Sequence, residues 1–101
     1  MTIKTIALSL AACAGLSLAA VGQATDLRIQ VISATCMACH GPGGKSLGAI
    51  PSINGLDRAY FVQAMKDFKS GTRPGTIMKR HATGYTDAEF EAMAAYFATL
   101  K

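Results

Sequence analysis

The sequence predicts an all-α domain of three main helices joined by long loops. Three observations carry that prediction. Apolar residues recur at helical spacing, as in Phe61, Ala64, Met65 and Phe68, which fall at i, i+3, i+4 and i+7 on one face. Glycine and proline crowd the intervening segments too densely for regular structure. No segment alternates apolar and polar residues as a half-buried strand does.

A chain of 101 residues has room for one domain. Residues 1–24 read as a secretory signal that precedes it. Lys4 gives a short basic start, Ile6 to Val21 are almost entirely apolar or small, and Gly22-Gln23-Ala24 offers small residues to a signal peptidase. The apolar run is short for a spanning helix, which needs about 20 residues. Leu10-Ala11-Ala12-Cys13 also resembles a lipoprotein box, with Cys13 as the lipidated residue, although the apolar core before it is unusually short. Cleavage after Ala24 leaves 77 of the 101 residues, numbered 25–101, as the domain. The positive mean hydropathy of +0.28 largely reflects the removed segment.

The first helix is expected from Asp26 to Cys39, with Thr25 or Asp26 as its cap and Leu27, Val31 and Ile32 on its apolar face. His40 to Leu56 reads as loop. The second helix runs from Asp57, its cap, to Lys69, and Ser70-Gly71 ends it. Thr72 to Tyr85 reads as another irregular loop, containing Pro74, Gly75 and Gly84. The last helix runs from Thr86 to about Leu100. Thr86 and Glu89 form a capping box at its start, and Phe90, Met93, Ala94, Phe97 and Leu100 form its stripe. A domain of this size struggles to build a sufficient core alone, and two cysteines after the signal allow no multi-disulfide framework.

Cys36-Met37-Ala38-Cys39-His40 supplies the missing centre. Cys-x-x-Cys-His is the c-type haem attachment pattern. At a helix end, Cys36 and Cys39 lie three apart on one face, so two thioethers can form at one edge of a porphyrin. His40 follows on the same side and can reach the iron. One such motif predicts one covalent haem c. A redox dithiol would need a βαβ setting, a zinc site would need more ligands, and a small structural disulfide is the remaining alternative.

The second axial ligand has five candidates: Met37, Met65, Met78, Met93 and His81. Met37 lies inside the motif on the proximal side. Met65 and Met93 sit on apolar helix stripes, where methionine is usually core filler. Met78 lies in the Gly/Pro-containing loop and is favoured; His81 stays as the other choice, beside Lys79 and Arg80. Pro51, in the rigid loop after the motif, is assigned to the haem pocket, where its carbonyl could accept from the other ring nitrogen of His40. Otherwise it is a turn residue. Ile50, Ile53, Ile77 and Tyr85 can line the pocket or form a contact patch, with Ile53 assigned to the pocket.

Removing Lys4 with the signal leaves 9 Lys+Arg against 6 Asp+Glu. Two haem propionates would nearly cancel that excess, so the charge implies neither nucleic acid nor membrane.

The motif at Cys36, the Pro/Gly loop behind it and the methionine before a final amphipathic helix resemble class I cytochromes c. Pro51-Ser52-Ile53, Phe68-Lys69-Ser70-Gly71, Thr76-Ile77-Met78, Gly84-Tyr85 and the ending around Phe90, Met93 and Tyr96-Phe97 are similar, in that order, to the cytochrome subunit of flavocytochrome c sulfide dehydrogenase. The resemblance implies a class I cytochrome c fold and attachment at Cys36 and Cys39. It implies axial ligation by His40 and Met78, periplasmic electron transfer, and an FAD-containing flavoprotein partner that oxidises sulfide. Two-haem members carry a second cytochrome domain, for which there is no room here. No G-x-G-x-x-G loop is present, so sulfide chemistry would belong to the partner. A free carrier serving other redox proteins, a haem enzyme or sensor with an open iron position, and a non-haem binding module are the competing readings.

Overall fold

The computed structural model describes residues 26–101. The expected signal at 1–24, the Cys13 alternative and Thr25 lie outside them. Helix α1 occupies 26–34, and a turn at 35–36 leads into α2, Met37–His40. A 3-10 turn, Pro42–Gly44, opens the long loop. Then come α3, Arg58–Ser70, α4, Thr76–Thr83, and α5, Asp87–Ala98. Among the described residues there is no strand, and no helix is long and apolar enough to cross a membrane.

The ends of α3 and α5 follow their capping residues. The Tyr60 N–H donates to the Asp57 carboxylate at 3.0 Å. Gly71 takes the left-handed conformation at φ 87°, and its N–H donates to the Asp67 carbonyl. The capping box of α5 is complete: Glu89 N–H donates to Thr86 Oγ1 at 3.1 Å, and Thr86 N–H donates to Glu89 Oε2 at 3.0 Å. Arg28 on α1 donates to the other Glu89 oxygen at 2.8 Å, tying α1 to the start of α5.

Helix α3 packs on α5 and on α4. Phe61, Val62 and Met65 meet Phe90, Met93, Ala94 and Phe97, all buried. The Phe61 and Phe97 rings stack at 5.6 Å. Each such side chain contributes about 1.5–3 kcal/mol by leaving water.

Three expectations are corrected. The first helix does not run unbroken to Cys39. The Cys36 N–H donates three residues back to Ser33 and the Thr35 hydroxyl donates to Ile32, which tightens the chain into a turn before α2. Leu27 and Val31 do not face the core; they are 62% and 60% exposed, while Ile32 packs inward and Ser33 is buried. The stretch from Thr72 to Tyr85 is not wholly irregular, because α4 lies inside it. Eight residues show too little periodicity to outweigh the flanking Pro74, Gly75 and Gly84. Only Ala82 of α4 reaches the buried core.

The Thr86 N–H, and after it the Arg28 guanidinium, hold the Glu89 carboxyl below the usual glutamate range. A carboxylate favoured in the folded state contributes stability above its unfolded pKa, and that contribution is lost as pH falls through the folded one. Unfolding midpoints should therefore fall as pH drops below about 4.3. Glu89→Gln should have a shallower slope across that window; equal slopes in denaturant titrations would contradict this account.

Candidate functional site

The loop after α2 is closed by backbone bonds. Gly41 has φ 91°, and a Cβ there would lie 2.0 Å from the Lys45 carbonyl oxygen, so no larger residue fits. The Gly44 carbonyl accepts from Ile53 at 2.8 Å and Asn54 at 3.2 Å. Ser46 N–H donates to Ser52 Oγ at 2.9 Å, and Gly55 N–H donates to the Phe97 carbonyl at 2.9 Å. The loop is thereby fastened to itself and to α5.

That closure sets Pro51 against His40. The His40 Nδ1 and the Pro51 carbonyl oxygen are 2.6 Å apart. A carbonyl can only accept, so Nδ1 carries the proton and donates. In the neutral ring Nε2 is then the free lone pair, the state suited to holding a metal.

Cys36, Cys39 and His40 line one wall of a cavity of about 540 Å³. Pro51, Ile53 and Leu56 continue that wall. Phe61, Ala64, Met65 and Phe68 of α3, with Ile77 and Met78 of α4, complete an apolar enclosure of ordinary cofactor-site size. All six residues assigned from the sequence, Cys36, Cys39, His40, Pro51, Ile53 and Met78, thus border one space. Of the other ligand candidates, Met65 and His81 also border it, whereas Met93 is fully buried in the core and Met37 lines a separate shallow depression. His81 is one turn along α4 from Met78.

Cys36 is half-buried and Cys39 exposed, and the two are not joined in a disulfide. Burial pushes the Cys36 thiol up, with the Thr35 hydroxyl acting weakly against it. Redox dithiols need the opposite shift in their nucleophile. Among the described residues no three His, Cys, Asp or Glu side chains converge as a metal cluster. The apolar walls instead suit a large hydrophobic group gripped at one edge by two thiols, with nitrogen and sulfur donors on its faces.

Arg73 carries no motif or spacing that marks it in the sequence. Its guanidinium lies over the Phe68 ring at 4.8 Å, near the Tyr60 hydroxyl at 3.4 Å, and borders the cavity. A cation at an otherwise apolar wall suits an anionic substituent on the bound group.

The family model described as Cytochrome c matches residues 29–101. The chain belongs to the cytochrome c family. Membership implies a covalently held haem c and electron transfer, and the all-helical architecture is the class I cytochrome c fold. The cytochrome is 44% identical over 81 residues to the cytochrome subunit of sulfide dehydrogenase of Chlorobaculum tepidum, covering 80% of this chain and 74% of that one. It is 36% identical over 69 residues to the thiosulfate dehydrogenase electron acceptor of Stutzerimonas stutzeri, covering 64% of this chain and 32% of that one. Among solved structures, cytochrome c4 of Acidithiobacillus ferrooxidans superposes with a TM-score of 0.62 at 37% identity, covering 64% of this chain and 38% of that one. The cytochrome spans little more than a third of cytochrome c4.

The position of α4 depends on Gly75, where an added Cβ would lie 2.8 Å from Phe68 Cε1. Gly75→Ala should displace α4 or the ring and destabilise the holoprotein by about 1–3 kcal/mol. Chemical denaturation measures this, and an unchanged midpoint would show that the approach is easily relaxed.

Proposed function

We propose that the cytochrome is a periplasmic one-electron carrier that holds a single haem through Cys36 and Cys39, with His40 and Met78 as axial ligands. The arrangement of one cavity, bordered by the attachment motif and by Met78, carries this reading. When bound, haem supplies a one-electron couple whose potential depends on the axial ligands and the burial around them. Cys36 and Cys39 grip one edge. His40 presents Nε2, aimed by the bond from Nδ1 to the Pro51 carbonyl. Met78 offers a thioether from α4, Ile53 and the α3 side chains keep water out, and Arg73 holds the anionic side. The segment 1–24 would direct export.

The donor we assign is a flavoprotein that oxidises sulfide. The 44% identity to a sulfide dehydrogenase subunit supports that choice.

Acid–acetone should leave the haem on the polypeptide, and mass spectrometry should find one haem per chain; extractable colour would refute covalent attachment. Met78→Ala should abolish the weak far-red sulfur–iron band and lower the potential. Met65→Ala and Met93→Ala should keep the band and instead cost about 2–5 kcal/mol of stability. Loss of the band in either of those, with Met78→Ala retaining it, would reassign the ligand. Mild isolation from the native source should recover a flavin-containing chain, and sulfide should reduce the haem rapidly only in its presence. A monomer that no sulfide-oxidising flavoprotein reduces would leave general electron transfer alone.

A further inference from the structure

Helix α4 is lightly secured for the element that carries Met78. It has eight residues, glycine at both cap positions and one buried side chain, Ala82. A helix of that length is marginal by itself, so its place depends on what ties it down. At its start, Gly75 lies against the Phe68 ring. Past its end the chain turns through Gly84 into Tyr85, and there two side chains converge. The Lys69 ammonium, from the last turn of α3, donates to the Tyr85 carbonyl and lies 5.5 Å over the buried Phe90 ring. Lysine ordinarily keeps its head group in water, whereas Lys69 is half-buried and gives a charge-assisted bond to a single backbone oxygen. The Tyr85 hydroxyl lies 3.4 Å from Thr35 Oγ1. Thr35 already donates to the Ile32 carbonyl at 2.6 Å, and a carbonyl only accepts, so Tyr85 is the donor to Thr35. Thr35 directly precedes Cys36. Thr35, Met78 and Tyr85 border the same cavity, and Lys69 reaches Tyr85 from behind it.

We propose that Lys69 and Tyr85 are positioning residues that keep Met78 on the iron, by strapping the end of α4 to α3 and to the turn that leads into the attachment motif. The inference deepens the axial-ligand reading above and rests on it. Lys69 acts only through the Tyr85 backbone, and Tyr85 acts through Thr35. With the strap released, α4 keeps its contact at Gly75 and the burial of Ala82 but loses the anchor beyond its last turn. Such an element opens locally, at a cost well below that of unfolding the whole domain. While α4 is open, its thioether is away from the iron and a small outside donor can bind there. The Lys69 bond carries the larger share, because it is charge-assisted and half-buried, whereas 3.4 Å is long for a pair of hydroxyls.

The test uses the oxidised, haem-loaded protein with imidazole as the probe. At high imidazole concentration the rate of ligand exchange levels off at the rate at which Met78 leaves, read from the loss of the far-red sulfur–iron band. Lys69→Met, which keeps the length of the side chain but not the donor, should raise that limiting rate about tenfold, and Tyr85→Phe should raise it about threefold. Lys69→Arg keeps a donor and should stay within about twofold of the unmodified protein. Asp57→Ala, which removes the cap of α3 at the far end of that helix, is the control for general destabilisation. It should lower the denaturation midpoint and leave the limiting rate unchanged. In urea, Lys69→Met should lose the sulfur–iron band before its helical circular dichroism, by a wider margin than Asp57→Ala. Tyr85→Phe and Lys69→Arg carry the test if Lys69→Met does not fold. Limiting rates that stay constant in Lys69→Met and Tyr85→Phe, or rise equally in Asp57→Ala, would overturn the proposal. So would a Lys69→Arg protein that exchanges as fast as Lys69→Met. A protein with no sulfur–iron band before any substitution refutes Met78 as the ligand; a band present with exchange indifferent to Lys69 and Tyr85 refutes the strap alone.

Discussion

The hydrogen bond from His40 Nδ1 to the Pro51 carbonyl is the constraint on which the site depends. It joins the end of the attachment motif to a loop eleven residues further on. A loop of that length closes only at an entropic cost. The bonds from Ile53 and Asn54 to the Gly44 carbonyl, and from Gly55 to the carbonyl of Phe97, offset that cost. Gly41 makes the closure sterically possible. A contact with one ring nitrogen thus settles which nitrogen is free to bind, and the surrounding backbone holds that choice in place.

Helix α3 serves two surfaces at once. Phe61 and Met65 belong to the buried core shared with α5 and also border the cavity. The hydrophobic core and the cofactor pocket are therefore one apolar body divided by a single row of side chains. A domain this small gains much of its buried area from whatever fills the cavity. Folding and haem retention are expected to be coupled for the same reason, since an apolar wall facing water stabilises nothing. Lys69 adds a tie at the back of this body, donating to the Tyr85 carbonyl and lying over the Phe90 ring.

The outer surface follows a different logic. Acidic side chains serve the helix ends, as Asp57 and Glu89 do at the starts of α3 and α5. The segments framing the cavity have no long helix start to satisfy, and they contain no carboxylate at all. Capping requirements thereby contribute to the charge separation across the molecule.

Local chemistry determined much of this protein from sequence alone. Cys36, Cys39 and His40 are legible because the attachment chemistry fixes their spacing. The starts of α3 and α5 are legible because caps act within three residues. Pro51 could be guessed as the partner of His40 because a ligating histidine needs an acceptor and a rigid loop follows the motif. What stayed hidden depended on contacts distant in sequence. Helix α4 is too short to show periodicity; it packs on α3, with Ala82 in the core and Gly75 close to the Phe68 ring. Met78 lies not in an irregular loop but on α4, from which it borders the cavity. Leu27 and Val31 promised a core face, but the orientation of α1 follows Ile32, Ser33 and the Arg28–Glu89 pair, which turn them outward. Arg73 looked like any loop cation until Phe68 and Tyr60 came beside it. Spacing along the chain encodes bonds a few residues long, whereas which face of a helix is buried depends on what folds against it.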